Sequence, residues 1–178
     1  MSHWWDRLAV LSEPPPQGDL PRAAVLAALY PDGDDVRLVL TKRPLTMPTH
    51  AGHIAFPGGR PDAADAGPME TALREAEEEV GLDPATVDVL GFLAPIHTVE
   101  FALLVVPVVG RLPGPPKLVP SPQEVDKVLL PTLDELSQAT RWTFELWNGR
   151  KIWFFPLEGE ILWGATAMMV RRLIGLEL

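Results

Sequence analysis

Two kinds of hydrophobic pattern alternate along this chain: short unbroken or alternating runs that predict strands, and stretches with the three-and-four spacing of amphipathic helices. Residues 22 to 30, RAAVLAALY, are apolar almost throughout, and residues 36 to 41, VRLVLT, alternate. Between them Pro31-Asp32-Gly33-Asp34-Asp35 has turn chemistry, so the two runs predict a β-hairpin. Val87 to Leu93 and Leu103 to Val109 read as buried strands, and Glu124 to Leu130 as another. Residues 42 to 57, KRPLTMPTHAGHIAFP, hold too many prolines and polar residues for a long regular element; they predict a loop with a short strand at Ile54 to Phe56. Trp142, Phe144, Trp147, Trp153, Phe154 and Phe155 flank Asn148-Gly149, a hairpin turn pair. These aromatics are expected in the core, ahead of a role in a dimer contact.

Helical spacing is clearest from Met69 to Val80. Pro68 suits the first turn, and Gly81 with Asp83-Pro84 suits the end. Met69, Ala72, Leu73, Ala76 and Val80 form an apolar stripe. Glu75, Glu78 and Glu79 share an adjacent face, while Glu70, Arg74 and Glu77 gather on the opposite flank. Arg74 is thereby set for an ion pair with Glu70 or Glu77 and for a reach toward Glu78. Shorter helices are predicted at 3 to 11, carrying Trp4, Trp5, Leu8 and Leu11 and ended by Pro14-Pro15-Pro16; at 132 to 137, with Thr132 as cap and Glu135 three residues on; and at 161 to 175, with Thr166, Met169, Val170, Leu173 and Ile174 on one side. Arg111 to Pro122, with five prolines and one glycine, reads as an extended surface loop.

Composition narrows the chemistry. With 178 residues and 47% hydrophobic content the chain is expected to form one α+β domain over residues 1–178. There is no cysteine, which excludes disulfides and thiolate metal sites and favours oxygen-bound Mg²⁺ or Mn²⁺. No stretch approaches the roughly 20 apolar residues of a membrane helix, and the N-terminus has no basic region ahead of a hydrophobic one, so a soluble, cytoplasmic protein without a membrane partner is expected. A net charge of -9 with no Lys/Arg cluster argues against nucleic acid as a partner. A small anionic substrate stays open, because metal held by carboxylates inverts the local field.

Three carboxylates within one helical turn repel by a few tenths of a kcal/mol per pair, a cost that a hard divalent cation offsets. An acidic run alone is most often a solvated face. Here Gly58-Gly59 follows a strand, an arginine directly precedes the acids, and Gly81 ends the helix just after them.

Arg74-Glu75-Ala76-Glu77-Glu78-Glu79-Val80-Gly81-Leu82 resembles the signature of the Nudix hydrolases, G-x5-E-x7-R-E-U-x-E-E-x-G-U with U apolar. The second half matches in full. In the first half Ala66 stands where the box has Glu, and Asp65 lies one position earlier at the expected distance from Gly59, so one additional residue separates both from the helix. Leu40-Thr41-Lys42-Arg43-Pro44, continuing through His50-Ala51-Gly52-His53-Ile54-Ala55-Phe56-Pro57-Gly58-Gly59, is similar to the motif of coenzyme A pyrophosphatases, with Pro48 where Arg is usual and His53 where Gln is usual. Trp163-Gly164-Ala165-Thr166-Ala167 resembles the C-terminal segment of the same subfamily.

This resemblance implies a mixed sheet between helices and metal-dependent attack of water on a diphosphate. It implies Glu75 and Glu79 as direct ligands of Mg²⁺ or Mn²⁺, Glu78 as a third ligand or as holder of a metal-bound water, and Arg74 as the residue that orients a glutamate. The general base is open among Glu78, Glu100 and Glu124, with His97 expected to be a hydrogen-bonded loop residue. Arg43 and His50 are expected at the substrate or the catalytic helix, and Gly58 and Gly59 where backbone approaches a ligand. The implied substrate is coenzyme A or a thioester of it. The alternatives are another nucleoside diphosphate derivative, such as ADP-ribose, a dinucleotide or an oxidised nucleotide, and a non-catalytic nucleotide-binding module. Monomer and homodimer are both open.

Overall fold

A computed structural model describes residues 3–16, 22–98 and 102–176. In chain order its strands and helices are β1 (Arg22–Asp32), β2 (Asp35–Leu38), β3 (Leu40–Lys42), β4 (Ile54–Ala55), β5 (Gly58–Gly59), α1 (Pro68–Val80), β6 (Asp88–Phe92), β7 (Ile96–Thr98), β8 (Leu103–Arg111), β9 (Lys127–Leu129), α2 (Leu133–Leu136), β10 (Thr143–Trp147), β11 (Arg150–Leu157), β12 (Glu160–Trp163) and α3 (Gly164–Leu173).

The unbroken apolar run at 22 to 30 becomes β1 because both of its faces are covered. β1 lies parallel to β8, with Arg22 opposite Leu104 and Leu29 opposite Arg111, and antiparallel to β2 and β5. β6 and β7 complete this sheet along the other edge of β8. Alternate residues of β1 go to different cores. Ala24, Leu26, Ala28 and Tyr30 join Val106 and Val108 under α1, against Ala72, Ala76 and Val80. Ala23, Ala27 and Leu29 join Val105 and Val109 on the other face, with Leu133, Leu136, Phe155, Met169 and Leu173. A strand buried on two sides has no polar alternation, which is what the sequence shows.

The expected hairpin forms at Asp32 and Asp35, with Gly33 in the left-handed region at φ 61°. Its second run does not stay in one sheet. Val39 still donates to the Ala28 carbonyl, but Leu40 to Lys42 pass into a separate sheet with β4 and β9. The second hairpin turns at Asn148-Gly149, both at positive φ, as its residues require.

Several expectations need correction. The predicted helix at 3 to 11 is a single 3₁₀ turn at His3–Asp6; Trp4 alone of the pair is fully buried, its Nε1 donating to Asp134 Oδ1 at 2.6 Å. Residues 161 to 163 extend as β12, because Leu162 and Trp163 pair with Phe155 and Phe154 before α3 begins. Glu124 sits in a turn, since β9 starts at Lys127. Phe144 and Trp147 are exposed although Trp142 and Phe155 are core. The proline-rich segment 111 to 122 also does more than cross the surface: the Val119 and Ser121 N–H groups donate to the Val80 and Glu79 carbonyls and close the end of α1. Among the described residues no helix is long and apolar enough to cross a membrane.

The two ends of the aromatic segment should differ sharply in urea unfolding. Phe155→Ala empties a fully buried site and is expected to cost about 3–5 kcal/mol, whereas Phe144→Ala at the exposed hairpin should cost under about 1 kcal/mol. Equal losses would contradict this placement of the core.

Candidate active site

α1 starts where predicted, at Pro68, and ends on Gly81 at φ 67°, whose N–H donates to the Ala76 and Glu77 carbonyls. Its buried side is rotated from the expected stripe. Thr71, Ala72, Ala76, Glu79 and Val80 are buried, while Met69 and Leu73 are only half covered. The rotation brings Glu75 and Glu79 onto β5. That contact requires residues without side chains: a Cβ on Gly59 would lie 2.6 Å from the Glu75 carboxylate, and one on Gly58 2.4 Å from the Ala24 carbonyl oxygen. The close approach that these glycines permit is taken up by the helix on one side and by β1 on the other.

The carboxylates then differ by environment. Glu79 is 7% exposed, and burial foremost, with Glu124 and Glu75 adding repulsion, pushes its carboxyl up to about 8; Arg43 and the Gly58 N–H act in the opposite sense. Glu75 is raised too, first by burial, against the pull of Arg74. Glu78 is exposed. Of the candidate bases, Glu124 faces the buried pair from the turn before β9, His97 sits on the exposed side of β7, and Glu100 lies outside the described residues.

Arg74 does not pair with Glu70 or Glu77. Its Nε and Nη2 donate to Asp65 at 3.2 and 3.0 Å, Nη2 also to the Arg60 carbonyl at 3.0 Å, and Nη1 to Glu75 at 3.0 Å and Glu78 at 3.2 Å. The Asp65 carboxyl is held well below the usual carboxylate range, first by Arg74 and then by the Asp62 N–H. The predicted flank pairing fails because Asp65 arrives from the preceding loop, which helical spacing alone does not reveal.

The loop before β5 is folded on itself, with Arg43 N–H donating to the His53 carbonyl at 3.0 Å and Gly52 N–H to the Arg43 carbonyl at 3.1 Å. This places the Arg43 guanidinium in the field of Glu79. Lys42 is engaged elsewhere, with Glu160 at 2.7 Å. His50 is exposed, its ring 5.3 Å from that of His53, and the His53 ring meets Trp163 edge-on at 4.8 Å. No pattern in the chain signals that last contact, which joins residues 110 positions apart.

Among the described residues no three carboxylates or histidines converge as a closed metal cage. Arg74 draws Glu75 and Glu78 to itself while Glu79 accepts from Gly58. The donor set still suits a hard divalent cation: it is all oxygen, it stands on rigid elements, and its buried members repel one another. Such a cation offsets the repulsion that raises Glu79.

Comparison with known proteins bears on the family and the fold. The family model described as NUDIX domain matches residues 20–150. The chain is 41% identical over 162 residues to "Nudix hydrolase 22, chloroplastic" of Arabidopsis thaliana, covering 85% of this chain and 53% of that protein, so it spans about half the relative's length. It is 38% identical over 140 residues to "Uncharacterized Nudix hydrolase NudL" of Photorhabdus laumondii, covering 76% of this chain and 74% of the relative. A solved MutT/nudix family protein from Enterococcus faecalis superposes with a TM-score of 0.61 over 96% of this chain and 65% of that one, at 15% identity, a likeness of fold alone. The architecture is the α+β Nudix fold.

The raised carboxyl of Glu79 gives stability a definite pH sign. Between its ordinary value near 4.5 and about 8, the metal-free folded chain keeps a proton that the unfolded chain has shed. This group's contribution is therefore most favourable below the unfolded value and declines as pH rises to about 8. In EDTA the melting temperature should fall by on the order of 10 °C across that window, a flattened profile being expected for Glu79→Gln. Mg²⁺ should restore more stability at high pH than at low pH; a Mg²⁺ increment independent of pH would contradict the assignment.

Proposed function

The chain belongs to the Nudix hydrolase family, and we propose that it hydrolyses the diphosphate bond of coenzyme A or its thioesters. Water adds to one phosphorus, the bridging P–O bond breaks, and the products are adenosine 3′,5′-bisphosphate and 4′-phosphopantetheine or its acyl form. The observation that carries this reading is the folded loop 43 to 53. It bears the segment similar to the coenzyme A motif, and it sets Arg43 beside the carboxylates of α1.

Glu75, Glu79 and Glu78 would hold Mg²⁺ or Mn²⁺. A divalent cation held by them would supply a lowered pKa for the attacking water and neutralisation of charge on the leaving phosphate oxygen. Arg74 keeps Glu75 and Glu78 on one side of the helix. Glu124 faces the buried pair from a different element and accepts the proton of the attacking water at its carboxylate oxygen. Arg43 supplies a cation for phosphate beside the carboxylates of α1. His50 completes the expected substrate contacts, while Gly58 and Gly59 act through the helix that rests on them.

The test is a panel of coenzyme A, an acyl thioester of it, ADP-ribose, NADH and nucleoside triphosphates with Mg²⁺ or Mn²⁺, products being identified by mass. Coenzyme A or its thioester should be cleaved fastest, and faster turnover of ADP-ribose would discard the substrate. Glu79→Gln should remove activity with the fold intact, and Glu124→Gln should lower kcat by about 10²–10⁴. Wild-type turnover by Glu124→Gln would remove that residue as the base.

A further inference from the structure

We infer that Asp65, together with one additional residue in the loop before α1, is a length-compensated positioning device for Arg74. The inference rests on the metal-holding role proposed above for the helix that Arg74 orders. Ala66, which occupies the box position for Glu, is exposed and carries no acid. The carboxylate that meets Arg74 instead comes from nine positions before it, on a side chain one methylene shorter than glutamate.

Asp65 is tightly held. Its side chain is 6% exposed, and Oδ2 accepts from the Asp62 N–H at 2.8 Å, from Thr71 Oγ1 at 2.9 Å and from Arg74 Nη2 at 3.0 Å, while Oδ1 accepts from Arg74 Nε at 3.2 Å. Two contacts on one edge of a planar guanidinium fix its rotation. The remaining edge, Nη1, is then committed to Glu75 and Glu78 together. Removing Asp65 frees the fork to turn, and both glutamates lose the donor that sets their orientation. Outer partners of this kind typically change metal affinity by about 10–100-fold.

The compensation is specific enough to be rebuilt. Deleting Ala66 and replacing Asp65 by Glu restores a glutamate eight positions before Arg74. Each change alone places the carboxylate wrongly: Asp65→Glu overreaches, and deletion of Ala66 with Asp65 retained falls short.

Mn²⁺ alone, titrated without substrate and followed by electron paramagnetic resonance, reads the consequence. The Arg74 Nε–H resonance in a ¹⁵N-arginine-labelled chain reads the clamp itself without metal. Asp65→Asn should weaken Mn²⁺ about tenfold or more and speed exchange of the Arg74 Nε–H. Asp65→Glu and the Ala66 deletion should each do the same, and the combination should return both readouts to within about threefold of wild type. Should Asp65→Asn fold poorly, the comparison of the combined variant with its two components decides alone. Unchanged Mn²⁺ affinity and Nε–H exchange in Asp65→Asn, or a combined variant no better than its parts, would overturn the inference. If the wild-type chain took up no Mn²⁺, the metal reading of the helix would fail, and the Nε–H exchange would still settle whether Asp65 positions Arg74.

Discussion

Burying the Glu79 carboxylate beside Glu75, with Glu124 facing both, is the constraint to which the surrounding chain answers. Like charges in a poorly solvated place are unfavourable, and each neighbour here reduces that cost in part. Gly58 contributes an N–H and Arg43 a positive field. Arg74 holds Glu75 from the outer side. None of these restores an ordinary carboxyl: burial above all, with Glu124 and Glu75 behind it, keeps Glu79 raised, so the metal-free chain holds a proton there.

The rest of the fold keeps these groups from relaxing apart. β1 and β8 form a platform buried on both faces, so α1 cannot shift without disturbing Ala72, Ala76 and Val80 against Leu26 and Val106. β5 is pinned to β1 at Ala24 and Val25, and the two glycines let the helix sit directly on it. At the far end, Val119 and Ser121 bind the last carbonyls of α1. A helix fixed at its side and at its C-terminal end holds carboxylates in place even where they repel, a form of preorganisation. The loop carrying Arg43 is steadied in turn by the His53–Trp163 contact, which ties it to the C-terminal sheet.

Local chemistry made much of this readable. Pro68 and Gly81 bound the helix, Asn148-Gly149 turns a hairpin, Thr132 caps α2, and the apolar run at 22 to 30 is a strand; each rests on near neighbours in the chain. Readings failed where distant residues decide. Hydrophobicity places the helix stripe without Glu79, yet the buried face includes it, because β5 and Arg43 receive it. Helical spacing sets Arg74 toward Glu70 or Glu77 and toward Glu78; the Glu78 contact forms, but a loop residue, Asp65, takes the place of the other two. The run 36 to 41 reads as one strand, although partners at β9, almost ninety residues on, draw Leu40 to Lys42 into another sheet. Trp163 belongs to a strand because Phe154 pairs with it, a fact its apolar neighbours toward α3 obscure.

If Glu79 holds metal, the buried cluster exchanges its proton for the ion. Calorimetric titration with Mg²⁺ near pH 7, in two buffers of different ionisation enthalpy, counts the protons released on binding. Close to one proton per site is expected from the wild-type chain and close to none from Glu79→Gln. Mg²⁺ binding by the wild-type chain with no proton release would contradict it.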